Sequence, residues 1–221
     1  MSRTYRELCD QAVVSFDLWT GSIQSTGAAA MTMAVSGTPR FGKIGNKQYL
    51  MTFTNADKIV SNAAIAPVVN STTAFWIEAW LCSGATDYFV YQVNAGGFGA
   101  YYDVGNRIFN LITFTAIGGA ARTINTAVGS SPYSRNQYHA VGYIDPVGLT
   151  GQWWVDGVPY ATTFTNTNPP VLGGNAVLNV GGNAGPGVNT AALRVWQGAP
   201  LADEVSLLYG NYQSLTVPSR L

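Results

Sequence analysis

The chain has 221 residues, 47% of them hydrophobic and 12% aromatic, so a large apolar core is available. Only 10% are Asp, Glu, Lys or Arg, against about 25% in an ordinary soluble protein. Eleven basic and eleven acidic residues cancel, which removes the overall charge that nucleic acid or anionic lipid selects for.

The few charges are also unevenly spread. None occurs in residues 23–39, 59–77 or 157–193, which are rich in Ala, Gly, Thr, Asn and Ser. Two readings follow: a protein hydrated through its Thr, Asn and Ser side chains, or a subunit whose surface is covered in an assembly. Two cysteines, Cys9 and Cys82, are too few for a disulfide framework or a zinc site. A bridge between them stays open. The first residues, MSRTYRELCDQA, lack the apolar core of a secretory signal. No run approaches the roughly 18 apolar residues of a membrane-spanning helix. The expectation is cytoplasmic folding, or export by another route such as inside a virus particle.

In chain order, residues 2–12 carry Tyr5, Leu8, Cys9 and Ala12 at helical spacing. They predict a short helix on the domain edge, or an arm docked on a neighbouring subunit. Residues 13–19 (VVSFDLW) read as the first strand, residues 28–35 as a second and residues 48–53 as a third, with a short strand at 59–60. Residues 73–82 (TAFWIEAWLC) read as a strand buried on both faces, with Glu78 on the side of Trp76 and Trp80. A meander follows at 87–93, 98–104 and 107–115, then a strand at 122–128. Residues 138–163, YHAVGYIDPVGLTGQWWVDGVPYATT, form the clearest signal. They read as strand, loop, strand, the Asp156-Gly157 turn, and a strand over 158–164. Strands at 176–180 and 193–197 and a helix over 201–209 complete the chain. Acidic residues in the first turn of that helix suit its dipole. Closely spaced strands with one or two short helices predict an all-β antiparallel jelly-roll sandwich. The division is an N-terminal segment or arm, 1–12, and one domain, 13–221.

Three stretches resemble the laminin-G-like, concanavalin A-type lectin fold: FWIEAWL (75–81), YHAVGYID with GQWWVDG (138–157), and LRVWQGAPLADEVSLLY (193–209). The resemblance spans about residues 13–212. It implies two antiparallel sheets packed face to face, and no particular ligand, because the fold serves lectins, adhesion modules, glycan hydrolases and virus-particle proteins.

Glycan hydrolysis needs two carboxyl groups flanking the scissile bond. The hydrolases of this fold carry theirs on one strand as Glu-x-Asp-x-x-Glu, a pattern missing here; the nearest acidic pairs are Glu7/Asp10 and Asp203/Glu204, with Glu78 and Asp103 a distant pairing. His139, the single histidine, reads as a hydrogen-bonded strand residue rather than a catalyst. The glycine-rich 181–187 stretch precedes a strand, not the helix N-terminus of a phosphate site. Asp103 and Asn106 flank a turn and are candidate calcium ligands, although calcium wants six to eight oxygens; no other cofactor is expected. If Trp153 and Val155 face the core, Trp154 points outward beside Gln152, where it suits sugar stacking or a subunit contact. Tyr101, Tyr102 and Asp103 form a second candidate patch.

The leading expectation is a non-enzymatic structural or adhesive protein of a virus particle, such as a capsid decoration or fibre subunit of a bacteriophage. It would be a homo-oligomer among other virion subunits, located in the virion, with a surface glycan as a further partner and no nucleic acid or membrane insertion. The alternative is a free carbohydrate-binding lectin module, extracellular or cytoplasmic.

Overall fold

A computed structural model describes residues 3–29, 31–44, 47–66, 68–69, 72–82, 87–92, 97–103, 105–114, 120–126, 137–166, 168, 171, 173–182 and 189–214. The chain opens with helix α1 (Tyr5–Asp10) and strand β1 (Val14–Phe16). Strands β2 (Met33–Ser36), β3 (Arg40–Ile44), β4 (Lys47–Met51) and β5 (Lys58–Ser61) follow. Next come β6 (Phe75–Cys82), β7 (Asp87–Gln92), β8 (Phe98–Asp103), β9 (Ile108–Phe114) and β10 (Ala120–Thr126). After them lie β11 (Tyr138–Asp145), β12 (Thr150–Val155), β13 (Val158–Tyr160), β14 (Thr162–Asn166), β15 (Asn179–Val180), β16 (Asn189–Gln197) and helix α2 (Ala202–Ser214).

The strands pair antiparallel in two eight-stranded sheets, the all-β sandwich expected of the sequence. One sheet runs β13-β12-β11-β6-β16-β4-β3, with β1 also paired to β16; the other runs β14-β10-β9-β8-β7-β15-β5-β2. Side-chain alternation sorts each strand of the first sheet. Phe75, Ile77, Ala79 and Leu81 of β6 enter the core between the sheets, as do Leu193 and Val195 of β16 and Trp153 and Val155 of β12. Their neighbours Trp76, Trp80, Val141 and Trp196 face outward. That outer face is buried nonetheless, because α1 and α2 lie across it. Leu8 and Ala12 from the N-terminal segment and Val205 and Leu208 from α2 pack on Trp76, Val141 and Trp196. The Trp76 and Trp196 rings stack at 3.9 Å, and Trp196 Nε1 donates to the Leu8 carbonyl at 2.8 Å. Strand β6 is therefore buried along its whole length on both faces, as its unbroken apolar run predicts.

Both helices begin on caps written in the sequence. Thr4 and Glu7 form a reciprocal capping box. At α2, Glu204 accepts from the Leu201 N–H at 2.8 Å. Glu204 also pairs with Arg3, tying the two helices together.

Three predicted elements take a different form, and one strand is additional. The strand expected over 13–19 ends at Phe16, and a single 3-10 turn (Leu18–Thr20) replaces its second half, closed by Gly21 at φ 85°. The strand expected over 28–35 is confined to β2. The strand expected over 158–164 is two strands in different sheets: β13 is an edge beside β12, and after Ala161 the chain crosses to pair with β10. Pro159 has no N–H to donate, which suits it to an edge. Strand β3, absent from the predicted elements, pairs with β4 across register Arg40↔Met51 to Ile44↔Lys47. Three of its five residues, Arg40, Gly42 and Lys43, are charged or glycine, so it carries little apolar strand signal. Cys9 and Cys82 are both free thiols. Residues 183–187 of the glycine-rich stretch lie outside the described residues.

Gly142 shows how tight the core is. It sits opposite Trp153 in the β11–β12 ladder, and a Cβ placed there would lie 2.7 Å from the indole ring. A larger side chain must displace that fully buried indole, and overpacking of this kind costs about 1–3 kcal/mol. Gly142→Val is expected to lower the urea midpoint accordingly; an unchanged midpoint would show that the indole can move aside.

Candidate functional site

The outer face of the first sheet carries polar groups as well as tryptophans. Glu78 of β6, His139 of β11 and Arg194 of β16 are neighbours there, set by the registers His139↔Trp80 and Arg194↔Glu78. All three are essentially without solvent exposure. Arg194 Nη1 donates to Glu78 Oε2 at 2.9 Å. Trp80 Nε1 donates to Glu78 Oε1 at 2.8 Å, and His139 Nε2 lies 2.9 Å from the same oxygen. An ionised carboxylate only accepts, so the imidazole donates from Nε2. Burial by itself would push the Glu78 carboxyl up. The Arg194 guanidinium and the His139 and Trp80 donors outweigh burial and hold it down at about 2. Burial works against the Arg194 charge too, and Glu78 again prevails, raising its pKa.

Arg194 reaches the surface through its second partner. Its Nη2 pairs with Asp17, whose side chain is 36% exposed. Asp17 lies where β1 gives way to the 3-10 turn. Thr20 Oγ1 donates to the Asp17 carbonyl at 2.7 Å, and Trp19 Nε1 donates to Asp17 Oδ1 at 3.4 Å. The turn thus carries Trp19 outward, 39% exposed. These groups border an open cleft of about 390 Å³ between α1, the 3-10 turn and the last turn of α2. Ser15 and Arg194, paired across β1 and β16, also line it. Its walls include Tyr5, Cys9, Trp19 and Asn211. The Tyr5 ring centre lies 5.4 Å from the Arg194 guanidinium carbon. On the rim, exposed Arg6 and Asp10 lie one helical turn apart, 3.9 Å from each other.

Burial pushes the Cys9 thiol and the Tyr5 hydroxyl up, so neither is an activated nucleophile. Glu78 is ionised and sealed beneath the helices. Asp10 faces solvent beside Arg6 and Asp17 is held by Arg194, so neither has the apolar surroundings that make a carboxyl a general acid. Among the described residues, no group of three or more His, Cys, Asp or Glu side chains is placed to hold a metal ion.

The residues singled out from sequence fall on two opposite faces. Trp153 and Val155 point into the main core, and Trp154 points outward, half-buried against the Trp76–Trp196 cluster beneath the helices. Gln152 Nε2 donates to the carbonyls of Trp153 and Tyr160 at 2.7 and 2.6 Å. On the second sheet, Tyr102 turns into the core beside Phe109, while Tyr101 stays on the outer face at 5.1 Å from Tyr88. Asp103 closes the β8–β9 turn: Oδ1 accepts from the Gly105 and Asn106 N–H groups, and Oδ2 accepts from Asn106 Nδ2 at 2.8 Å. The Asn106 amide thus offers Asp103 its nitrogen. Glu78 and Asp103 belong to different sheets and do not meet. Sequence reading missed Trp19, Asp17 and the helix-to-sheet cleft. The signal was Asp17 followed by Thr20-Gly21, a turn that breaks the strand and turns the indole out.

Glu78 gives the site a pH signature. A carboxyl held at about 2 against an ordinary 4.5 stabilises the fold fully above pH 4.5 and loses that contribution as the pH falls toward 2. Removing one member of a buried ion pair costs about 3–5 kcal/mol. Glu78→Gln is expected to lower stability at pH 7 by that order and to flatten the acid limb in urea titrations. Equal acid limbs in the two proteins would contradict the assignment.

No protein-family model matches the chain, and comparison with curated protein sequences gives no match either. Solved structures do match. The botulinum neurotoxin serotype G binding domain gives a TM-score of 0.69 at 13% identity, over 92% of this chain and 51% of that one. The binding domain of paraclostridial mosquitocidal protein 1 gives 0.69 at 13% identity, over 93% and 53%. The botulinum neurotoxin serotype D ligand-binding domain, in complex with N-acetylneuraminic acid, gives 0.65 at 9% identity, over 91% and 51%. The chain spans about half the length of these proteins, and at such identities the likeness is one of fold.

Proposed function

We propose that this chain is a non-enzymatic binding module of adhesive type, and that its ligand is a glycan. The observation that carries the reading is the cleft: an exposed indole, Trp19, steadied by Asp17 above a buried Arg194 and edged by short polar side chains. An aromatic face beside fixed donors and acceptors is what a sugar ring needs, because its C–H face stacks while its hydroxyls hydrogen-bond. The fold neighbours support the reading, since they are binding domains and one is in complex with an acidic sugar. So does the state of the cleft's acids and thiol, which suits binding without turnover.

The expected result is capture of a subset of glycans on a printed array, with no release of reducing ends from the same glycans in solution. An array without signal, or turnover of a bound glycan, would contradict the reading.

A second reading, a structural subunit of a virus particle such as a bacteriophage decoration or fibre protein, has its own support. Large apolar side chains stand exposed on a charge-poor surface: Val35, Phe53, Val147, Val158 and Leu201 are each more than half exposed. Val35 and Val158 lie on the edge strands β2 and β13, and unpaired edges invite pairing with another chain. This reading expects concentration-dependent self-association in sedimentation velocity, and a monomer at millimolar concentration would remove its physical basis.

A further inference from the structure

The charges and donors around the cleft narrow the class of sugar. Arg194 is the one buried cation at its floor, and both of its terminal nitrogens are engaged, Nη1 by Glu78 and Nη2 by Asp17. Of its three nitrogens, only Nε is without a hydrogen-bond partner among the described residues. A carboxylate is gripped by a guanidinium through two parallel N–H bonds, and two carboxylates already share the Arg194 guanidinium. The charged side chains that line the cleft are Arg194 and Asp17 at the floor and Arg6 and Asp10 on the rim, and they balance. Both of these cations are already paired with a carboxylate, so a further anion would meet the Asp17 charge and compete for an occupied guanidinium. The half-buried Asp17 carboxylate does match neighbouring sugar hydroxyls, which can donate to it. Trp19, fixed by its bond to Asp17, presents a stacking face at the same place.

We infer that this cleft is a binding site for a neutral pyranose, stacked on Trp19 with adjacent hydroxyls on Asp17, and that it discriminates against acidic sugars. The inference rests on the glycan-binding reading above and deepens it. It runs opposite to the acidic ligand of the serotype D neighbour. Asp17 is the residue that sets the sign: it occupies the Arg194 nitrogen that an acidic sugar would need.

The test is calorimetric titration with two probe sets, neutral oligosaccharides ending in glucose, galactose, mannose or fucose, and sialylated or uronate-ended counterparts. The proteins are wild type, Trp19→Ala, Asp17→Asn and Trp154→Phe, each checked for its fold by circular dichroism. At least one neutral probe is expected to bind at least tenfold more tightly than every acidic one. Trp19→Ala should weaken it by roughly tenfold or more, the effect of losing an anchoring aromatic, while Trp154→Phe leaves it unchanged. Asp17→Asn, which removes the negative charge beside Arg194 while keeping an acceptor oxygen, should shrink the neutral-over-acidic ratio. Tighter binding of acidic probes, or glycan binding indifferent to Trp19→Ala, would overturn the inference and leave the module a glycan binder by another route. Silence from every probe with every protein would overturn the glycan reading itself.

Discussion

A guanidinium buried on the outer face of a sheet is the constraint around which this molecule is arranged. Arg194 sits beside Glu78 with essentially no solvent contact. Desolvating two such ions costs several kcal/mol each, and mutual attraction offsets this only when geometry and extra hydrogen bonds are good. Here Glu78 collects donors from Arg194, Trp80 and His139, and Arg194 gains a second carboxylate in Asp17. The cluster needs a dry roof, which α1 and α2 supply. The helices in turn are held by the tryptophans that flank the ions and by contacts at their ends. One of these is Lys47, whose Nζ donates to the Tyr212 carbonyl in the last turn of α2 and lies 3.3 Å from the centre of the Tyr212 ring. Burial lowers the Lys47 ammonium to about 7, with Asp156 opposing the shift. Several of the scarce charges thus lie where they lock helices to sheet.

The same constraint links fold to surface chemistry. Asp17 can reach Arg194 only because β1 stops at Phe16 and the chain winds into a 3-10 turn. That turn swings Trp19 outward and leaves a cleft beside α1. A buried structural pair and an exposed aromatic are therefore two ends of one hydrogen-bonded chain, running from Glu78 through Arg194 and Asp17 to the indole. A site supported this way is preorganised, so less ordering entropy opposes ligand binding. The fold neighbours share the sandwich at low identity, and their ligands follow from their own side chains.

Much of the architecture was legible in the sequence, for physical reasons that can be named. The unbroken FWIEAWLC run required burial on both sides, and Asp156-Gly157 turned β12 into β13. Alternation in GQWWVDG separated Trp153 from Trp154. What that alternation could not say was what covers the outer face. Trp154 reads as exposed until α2 is laid across the sheet, and α2 is separated from it by the whole of β13–β16. The strand over 158–164 split because a crossing between sheets keeps the β conformation and leaves no local signature beyond Pro159. The cleft was illegible for a similar reason. Its residues come from α1, the turn after β1, β16 and α2, and only the pairing of β1 with β16 brings Asp17 to Arg194.

On the proposed function, the hydrogen-bonded chain running from Glu78 to Trp19 supports a sugar site. A crystal structure of the protein soaked with a neutral oligosaccharide tests it most directly. The expected result is a pyranose ring stacked on Trp19 with hydroxyls hydrogen-bonded to Asp17. A sugar bound elsewhere, against Trp154 or the Tyr88–Tyr101 face with the Trp19 cleft empty, would contradict it.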